Sequence, residues 1–384
     1  MSSEIGAESA PEINSEESLQ AESAEKAARL QKFFEQHQLA AVLLRRSENI
    51  AWATCGQVDA RVLIPSPTWV ASILLTRDGR KYYFAPANEG PRLAAEEFNG
   101  LGYEPVLSHW YEDNSVASAQ RLAGSVEVGT DVPTPGLISV NLAPLRASLT
   151  EPEIARYRWL GRKTADVTTG VLKELEPGVS EYEMEALVSD GLLCEGILPS
   201  VLLMAVDDRV LHYKHAVARG QRLERYGMLN LCSRKWGLAI SITRFVHFGA
   251  LPNELAERFA ACERVNAALL DATRVGVTSG QLFNVVRDAY VHEGFPGEEE
   301  FHHQGGASGY GEREWLATPA GRETVVNHQA FAWNPSIRGT KVEDTVVLHD
   351  GAIEILTETP ELPVVETRVD GVTYRSAGVL VRSS

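Results

Sequence analysis

The 384-residue sequence has few cysteines, and their spacing excludes two common roles. They form no C-x-x-C pair, which argues against a disulfide scaffold and a zinc finger and suits a reducing cytoplasm. No run of 18 apolar residues is present, and the N-terminus is acidic, so the sequence predicts neither a membrane span nor a signal peptide. The four cysteines are Cys55, Cys194, Cys232 and Cys262.

Basic residues are also scarce relative to acidic ones. Lys and Arg number 36 against 52 Asp and Glu, which gives a formal net charge of −16. Because nucleic-acid binding needs clustered positive charge, DNA and RNA are disfavoured as main ligands. Residues 1–25 alone hold seven Glu and no Lys or Arg. Residues 1–21 are therefore predicted to form a disordered acidic tail.

The remaining length predicts two domains. Residues 22–148 show a mixed α/β pattern, in which ASILLT and KYYF flank Asp78-Gly79 as a β-hairpin. A second domain, residues 149–384, opens with a capping box at Thr150-Glu-Pro-Glu153 and a long amphipathic helix over about 152–175.

The second domain contains an internal repeat. Residues 175–197 and 273–295 align without gaps at an offset of 98. Both copies carry a Ser or Thr cap with Glu or Gln three residues later, and both end in Glu-Gly. Two copies at this spacing indicate a duplicated half-domain rather than a solenoid. Segments 228–249 and 330–351 are predicted hairpins, the latter with SIRG as its turn, and Asp370-Gly371 predicts a third.

A duplicated helix-plus-hairpin domain behind an α/β domain resembles the pita-bread family of creatinase, prolidase and aminopeptidase P. Three segments carry the resemblance: ISITRFVHFG (240–249), GGASGYGERE (305–314) and AFAWNPSI…GTKVEDTVV (330–347). ENIAWATCG (48–56) is similar to the family's N-terminal segment. The resemblance implies an α+β fold, in which a pita-bread C-terminal domain of two pseudo-twofold half-domains follows a smaller α/β domain.

In the peptidases of this family, two Asp, one His and two Glu bind two divalent metals. The resemblance places the first Asp on Asn230, or on Cys232 if the hairpin is two residues shorter. The other positions fall on Ser241, Gly306, Asn334 and Glu343. Only Glu343 keeps a ligand of the family. The resemblance therefore implies no metal and no other cofactor.

Creatinase is a metal-free member of the family, and it keeps a Glu at the position of Glu343. It relies on an upstream histidine as general acid and base, for which this sequence offers His212 or His215. The imidazole pKa lies near neutrality, which suits the role. A further creatinase Glu falls on Thr243, which puts creatine in doubt as the substrate.

Further candidates surround these positions. His302 lies where several members keep a histidine, and it joins His212, His215 and Glu343 as a catalytic candidate. Arg313 and Arg338 offer forks for a carboxylate or phosphate. The predicted substrate-binding residues are Asn230, Ser241, Asn334, Arg313, Arg338, Tyr310 and Trp333.

The resulting hypothesis is a metal-independent, creatinase-like hydrolase of a C–N bond, or a lyase, acting on a small amino-acid-derived substrate. A cytoplasmic homodimer without nucleic-acid or membrane partners is expected. Two alternatives stay open. If the ligand alignment is wrong, the chain is a prolidase-type or Xaa-Pro aminopeptidase-type metallopeptidase. If catalysis has been lost, it is a pita-bread binding protein.

Overall fold

The computed structural model describes residues 15–64 and 66–383. The first helix, α1 (Glu16–His37), begins five residues before the predicted end of the acidic tail. The side chain of Ser15 caps it by accepting a hydrogen bond from the Ser18 amide at 3.2 Å, and two Glu in the first turn favour the helix dipole. The prediction of disorder is therefore wrong for residues 15–21, and its first 14 residues lie outside the described range.

The chain divides into two compact units. The first contains the described residues up to Arg146, together with 150–156 and 236–238. The second contains 147–149, 157–235 and the residues from 239 onward. The predicted boundary at 148 to 149 stays a prediction.

A six-stranded sheet with the order β4-β3-β2-β1-β5-β6 forms the centre of the first unit. Its central strand, β1, is buried on both faces: Val42 and Leu44 enter one apolar cluster, while Ala41 and Leu43 enter the other. This explains why the strand reads as an unbroken apolar run. The strands are β1 (Ala41–Arg46), β2 (Thr68–Thr76), β3 (Lys81–Pro86), β4 (Glu104–Ser108), β5 (Val128–Thr130) and β6 (Ile138–Ser139).

Short helices complete the first unit. They are α2 (Ser47–Ala53), α3 (Gly90–Arg92), which continues as a π-helical turn at Leu93–Glu97, α4 (Ser115–Ala123) and α5 (Ala143–Arg146). The predicted hairpin at Asp78-Gly79 is confirmed as the β2–β3 pair.

The second unit confirms the repeat. Helices α7 and α10 each begin with a complete capping box, at Ser180 with Glu183 and at Thr278 with Gln281. A long helix precedes each copy. The helices are α6 (Glu151–Glu174), α7 (Glu181–Cys194), α8 (Asp208–His212), α9 (Asn253–Ala272) and α10 (Ser279–His292), with a 3₁₀ turn at Glu298–Glu300.

Two larger sheets lie in this unit, with the orders β17-β9-β8-β7 and β11-β10-β12-β13-β14, and β15 pairs with β16. An isolated bridge between Thr243 and Glu343 joins β9 to the chain just before β13. The strands are β7 (Leu198–Val206), β8 (Tyr226–Lys235), β9 (Leu238–Phe248), β10 (Gly305–Ser308), β11 (Trp315–Leu316), β12 (Gln329–Trp333), β13 (Asp344–His349), β14 (Ala352–Ile355), β15 (Val364–Val369), β16 (Val372–Ala377) and β17 (Leu380–Arg382).

One predicted turn is wrong. The sequence places a tight SIRG turn between the strands at 330–337 and 340–351, but β12 ends at Trp333 and β13 begins at Asp344. The intervening segment, residues 334–343, is buried for most of its length. It carries Asn334 at one end and Glu343 at the other, so this connection, rather than a strand, presents the candidate site residues.

Candidate functional site

The carboxylate of Glu343 is the centre of a buried hydrogen-bond network. Its side chain is 3% exposed. Oε2 accepts hydrogen bonds from Asn230 Nδ2 at 2.7 Å and Thr243 Oγ1 at 2.6 Å. Oε1 accepts from Arg313 Nη2 at 3.0 Å and Asn334 Nδ2 at 3.5 Å. Four protein donors therefore surround the two oxygens, the number of lone-pair positions that a carboxylate offers.

These contacts decide the charge of Glu343. Burial by itself raises the pKa of a carboxyl group. Here the positive charges of Lys341 and Arg313, with the Thr243 hydroxyl, outweigh burial and hold the pKa of Glu343 below its usual range. The group is ionised at neutral pH.

The β8–β9 hairpin presents both positions that the sequence left open for the first Asp. Side chains two apart on a strand share a face. Asn230 accordingly faces Thr243 at 2.7 Å, and Cys232 Sγ lies 3.1 Å from Ser241 Oγ. Asn230 reaches Glu343, whereas burial raises the pKa of Cys232 to about 11 and keeps it a thiol.

Arg313 completes this face. Its Nη1 donates to Ser241 Oγ at 3.0 Å, in addition to the bond from Nη2 to Glu343. The guanidinium thus connects two of the family's former ligand positions. A Ser241 hydroxyl held between Cys232 and Arg313 has no base beside it in the described contacts.

Three histidines form a second cluster beside this network. His215 Nε2 lies 2.8 Å from His302 Nε2, so one ring donates a hydrogen bond to the other. His303 joins them, and one nitrogen from each ring lies within 4.8 Å of the other two. His303 was not among the predicted residues, although it follows His302 directly.

All three imidazoles are disposed to be neutral. Burial, reinforced by the charge of Lys341, lowers the pKa of His302 to about 2. Burial and Arg313 lower the pKa of His303 to about 4. Burial and Lys341 also lower the pKa of His215. At neutral pH none of the rings carries an extra proton to release as an acid. The candidate proton acceptor among them is His215, because a ring with a pKa of about 2 or about 4 is a very weak base.

The pKa values of His302 and His303 predict acid lability. The unfolded chain binds protons at these histidines below about pH 6.5. The folded chain binds a proton at His303 only below about pH 4 and at His302 only below about pH 2. Stability is therefore lost as the pH falls, by about 1 kcal/mol per pH unit for each histidine after allowing for solvent screening. Urea unfolding between pH 6.5 and 5 measures the slope. The His303→Gln variant should show a shallower slope, and an unchanged slope would contradict these pKa shifts.

Lys341 is the functional candidate that the sequence reading missed. Its side chain is almost completely buried, and Nζ has no hydrogen-bond partner among the described residues. Burial lowers its pKa, and the charge of Glu343 opposes this. The signal was present in the sequence, because residues two apart in an extended segment point to the same side. Lys341 precedes Glu343 by two.

The residues present do not fit the family's dinuclear metal centre. The ligand positions offer two amides, a hydroxyl and one carboxylate, and Arg313 and Asn230 already donate to that carboxylate. A histidine cannot replace Gly306 as the backbone stands. A Cβ there would overlap the Trp315 carbonyl oxygen and lie 2.9 Å from Leu316 Cα.

Two predicted residues lie in a different place from this network. His212 and Arg338 line a separate cavity of about 410 Å³ with Tyr213 and Phe301. His212 Nδ1 contacts the Asp208 carbonyl within helix α8, and Arg338 Nε donates to the Leu211 carbonyl. The structure therefore brings His215, and not His212, to His302.

Two other predicted residues belong to the core rather than to a ligand-binding wall. Trp333 is 1% exposed, packs against Phe331 and Trp315, and donates from Nε1 to Thr273 Oγ1 at 3.1 Å. Tyr310 is fully buried. Substrate contacts from these two side chains therefore stay a prediction, and the contacts that the structure shows for Trp333 are with the core.

The fold described above is that of a pita-bread protein. Residues 155–350 match metallopeptidase family M24, which is half of the chain, and the chain belongs to this family. Its solved relatives confirm the predicted fold. The comparison with curated protein sequences gives no match.

The structural relatives are distant in sequence. The Xaa-Pro dipeptidase from Bacillus anthracis is 16% identical, with a TM-score of 0.71 over 94% of this chain and 100% of the relative. The dipeptidase PepE from Mycobacterium ulcerans is 17% identical, with a TM-score of 0.75 over 95% and 99%. The N-terminal domain of the FACT complex subunit SPT16 from chickpea is 12% identical, with a TM-score of 0.59 over 88% and 97%. Among the described helices, none has the length and apolar character needed to cross a membrane.

Proposed function

We propose that the protein cleaves a C–N bond of a small amino-acid-derived substrate, by hydrolysis or elimination, without the dinuclear metal of its family. The observation that carries this proposal is the saturated carboxylate of Glu343. Protein donors occupy its lone pairs, and the cations Arg313 and Lys341 supply the positive charge that metal ions would bring.

The histidine cluster supplies the base in this proposal. A neutral His215–His302 pair takes a proton from a water molecule, and the water oxygen bonds to the carbon of the C–N bond. The C–N bond breaks, and the proton passes to the leaving nitrogen. Because its lone pairs are filled, Glu343 orients Arg313 and Asn334 rather than holding the water.

The two asparagines, both predicted to bind substrate, have different roles in this proposal. Asn230 Nδ2 donates its two hydrogens to Thr243 Oγ1 and Glu343 Oε2. It therefore has no hydrogen left to donate to an oxyanion on the substrate. Asn334 Nδ2 faces Glu343, which leaves its Oδ1 as the open acceptor. Asn230 is therefore a positioning residue, and Asn334 offers an acceptor to a substrate amine.

Metal content tests the proposal directly. Purified protein dialysed without chelator is expected to hold less than about 0.1 transition-metal equivalent per chain by elemental analysis, because the ligand positions keep only one carboxylate and no imidazole. Turnover of small zwitterions should be unchanged by chelator. Two equivalents, or turnover that needs added manganese or zinc, would overturn metal independence.

Xaa-Pro peptidase activity is the second candidate, because the structural relatives include an Xaa-Pro dipeptidase. Release of proline from dipeptides by metal-loaded protein would support it. A binding role is the third hypothesis, because the chain is also similar to the chickpea SPT16 domain, which belongs to a subunit of a complex. A cytoplasmic homodimer is also part of the proposal, and light scattering after gel filtration tests the dimer.

A further inference from the structure

Several buried polar atoms around Glu343 are left without a hydrogen-bond partner. They are Lys341 Nζ, Arg313 Nε, Asn334 Oδ1, and the Nδ1 atoms of His302 and His303. A buried donor or acceptor without a partner costs about 1–3 kcal/mol, so such atoms are normally paired in a folded protein. Their concentration in one place indicates that a ligand completes the network.

The charges in this place favour an anion. Lys341 and Arg313 are basic side chains and Glu343 is a single carboxylate, to which Arg313 Nη2 donates at 3.0 Å while Lys341 Nζ has no hydrogen-bond partner among the described residues. Neutral imidazoles add no charge. The balance is two positive charges against one negative, in surroundings where charge interactions are stronger than in water.

The same balance argues against a metal ion on the three histidines. Their nitrogens lie close enough to share an ion. However, the positive charge of Lys341 acts on all three rings, and that of Arg313 on His215 and His303. A cation placed among the rings would be repelled by both groups, and the single carboxylate of Glu343, which acts on His215 and His303, would offset only part of that repulsion.

We propose that Lys341 Nζ and Arg313 Nε bind an anionic oxygen of the ligand. This chain would then hold an oxyanion beside Glu343, the one carboxylate that it shares with the metal ligands of its family. The ligand class is a small carboxylate, and Asn334 Oδ1 accepts a hydrogen bond from an amine on the same molecule. The inference rests on the proposed function only in its choice of an amino-acid-derived ligand. The anion site itself is tested without turnover.

The experiment measures binding by the full chain, freed of metal by chelator and dialysis. Glycine, acetate and inorganic phosphate are the probes, and calorimetry and thermal unfolding are the readouts. Glycine and acetate are expected to bind and to raise the melting temperature. Lys341→Met is expected to weaken binding by about 10- to 100-fold, the loss of one charge-assisted hydrogen bond. Lys341→Arg should retain part of the affinity.

Two controls separate charge from folding. Lys32→Met removes an exposed lysine of helix α1 and should bind the probes as the wild type does. Lys341→Met should still unfold in one cooperative transition without a probe, because Glu343 keeps Arg313, Asn230 and Thr243 as donors. Its binding is compared with that of the wild type well below its own melting temperature. Tighter binding of phosphate than of glycine or acetate would assign the site to phosphate and overturn the carboxylate class.

Other outcomes would overturn the site itself. These are equal binding by wild type and Lys341→Met, or no binding of any probe. Stabilisation by zinc that is lost in His303→Gln would also do so, because it would make the histidines a metal site. If binding depends on Lys341 but no zwitterion is cleaved, the proposed function fails and the anion site stands.

Discussion

The Glu343→Ala variant is expected to lose about 3–5 kcal/mol of unfolding free energy, the cost of leaving buried charge without its counterion. Four donors point at this carboxylate, from Asn230, Thr243, Arg313 and Asn334. Removing it leaves Arg313 buried with its partner gone and brings Lys341 into a site of uncompensated positive charge. Urea denaturation followed by tryptophan fluorescence measures the loss.

Glu354→Ala is the matched control. Glu354 pairs with Arg158 at 2.8 Å, but both side chains are more than a third exposed. Its removal should therefore cost at most about 1 kcal/mol. Equal losses in the two variants would contradict the central role of Glu343. A gain of stability in Glu343→Ala would indicate a carboxylate that is strained without a metal ion, and would return the protein to the metallopeptidase reading.

The fold was accessible from the sequence because its signals are local. The capping boxes at Ser180 and Thr278 and the Asp-Gly turns depend on residues within four positions of one another, and the structure reproduces them. The apolar run of β1 is typical of a strand buried on both faces. The start of α1 was missed because Ser15 and two Glu form a helix start inside a stretch whose composition suggests disorder.

The candidate site was only partly accessible, because its chemistry depends on partners distant in sequence. Resemblance to the family located Glu343, but not the saturation of its oxygens by donors 9 to 113 positions away. Spacing alone left His212 and His215 equivalent, and the contact with His302 separates them. The sequence does not decide the role of Trp333, because an aromatic side chain on a motif strand can face either the core or a ligand.

Under the proposed metal-free function, charge compensation explains how this fold keeps a buried carboxylate without metal ions. Fewer acidic side chains at the ligand positions mean less repulsion for divalent ions to relieve, and Arg313 and Lys341 compensate Glu343. Replacing metal ions by these two basic side chains keeps the carboxylate of Glu343 ionised. It also means that the site would bind an anion where the family's site binds cations. Metal ligands and protein cations are thus alternative solutions to the same buried carboxylate.

The His215→Asn variant is expected to lower kcat/KM by about 10²- to 10⁴-fold on whichever small zwitterion the wild type cleaves, because it removes the proposed base. His302→Asn should have an effect of the same order, since the two rings share a hydrogen bond at 2.8 Å. The lowered pKa of His215 leaves the ring unprotonated at neutral pH. The wild-type rate should therefore stay level from pH 8 to about pH 6.5 and fall only below that value, where the base is protonated.

His212→Asn is the control that tests this assignment. It removes an exposed imidazole only three residues earlier, whose Nδ1 contacts the carbonyl of Asp208 in its own helix. It should change kcat/KM by less than about threefold, as expected for a side chain that lies outside the reacting network. If His212→Asn loses all activity and His215→Asn retains it, the base is His212, in the separate cavity that it lines. Since both variants remove one imidazole from the same short segment, their difference reports position and not the mere presence of a histidine.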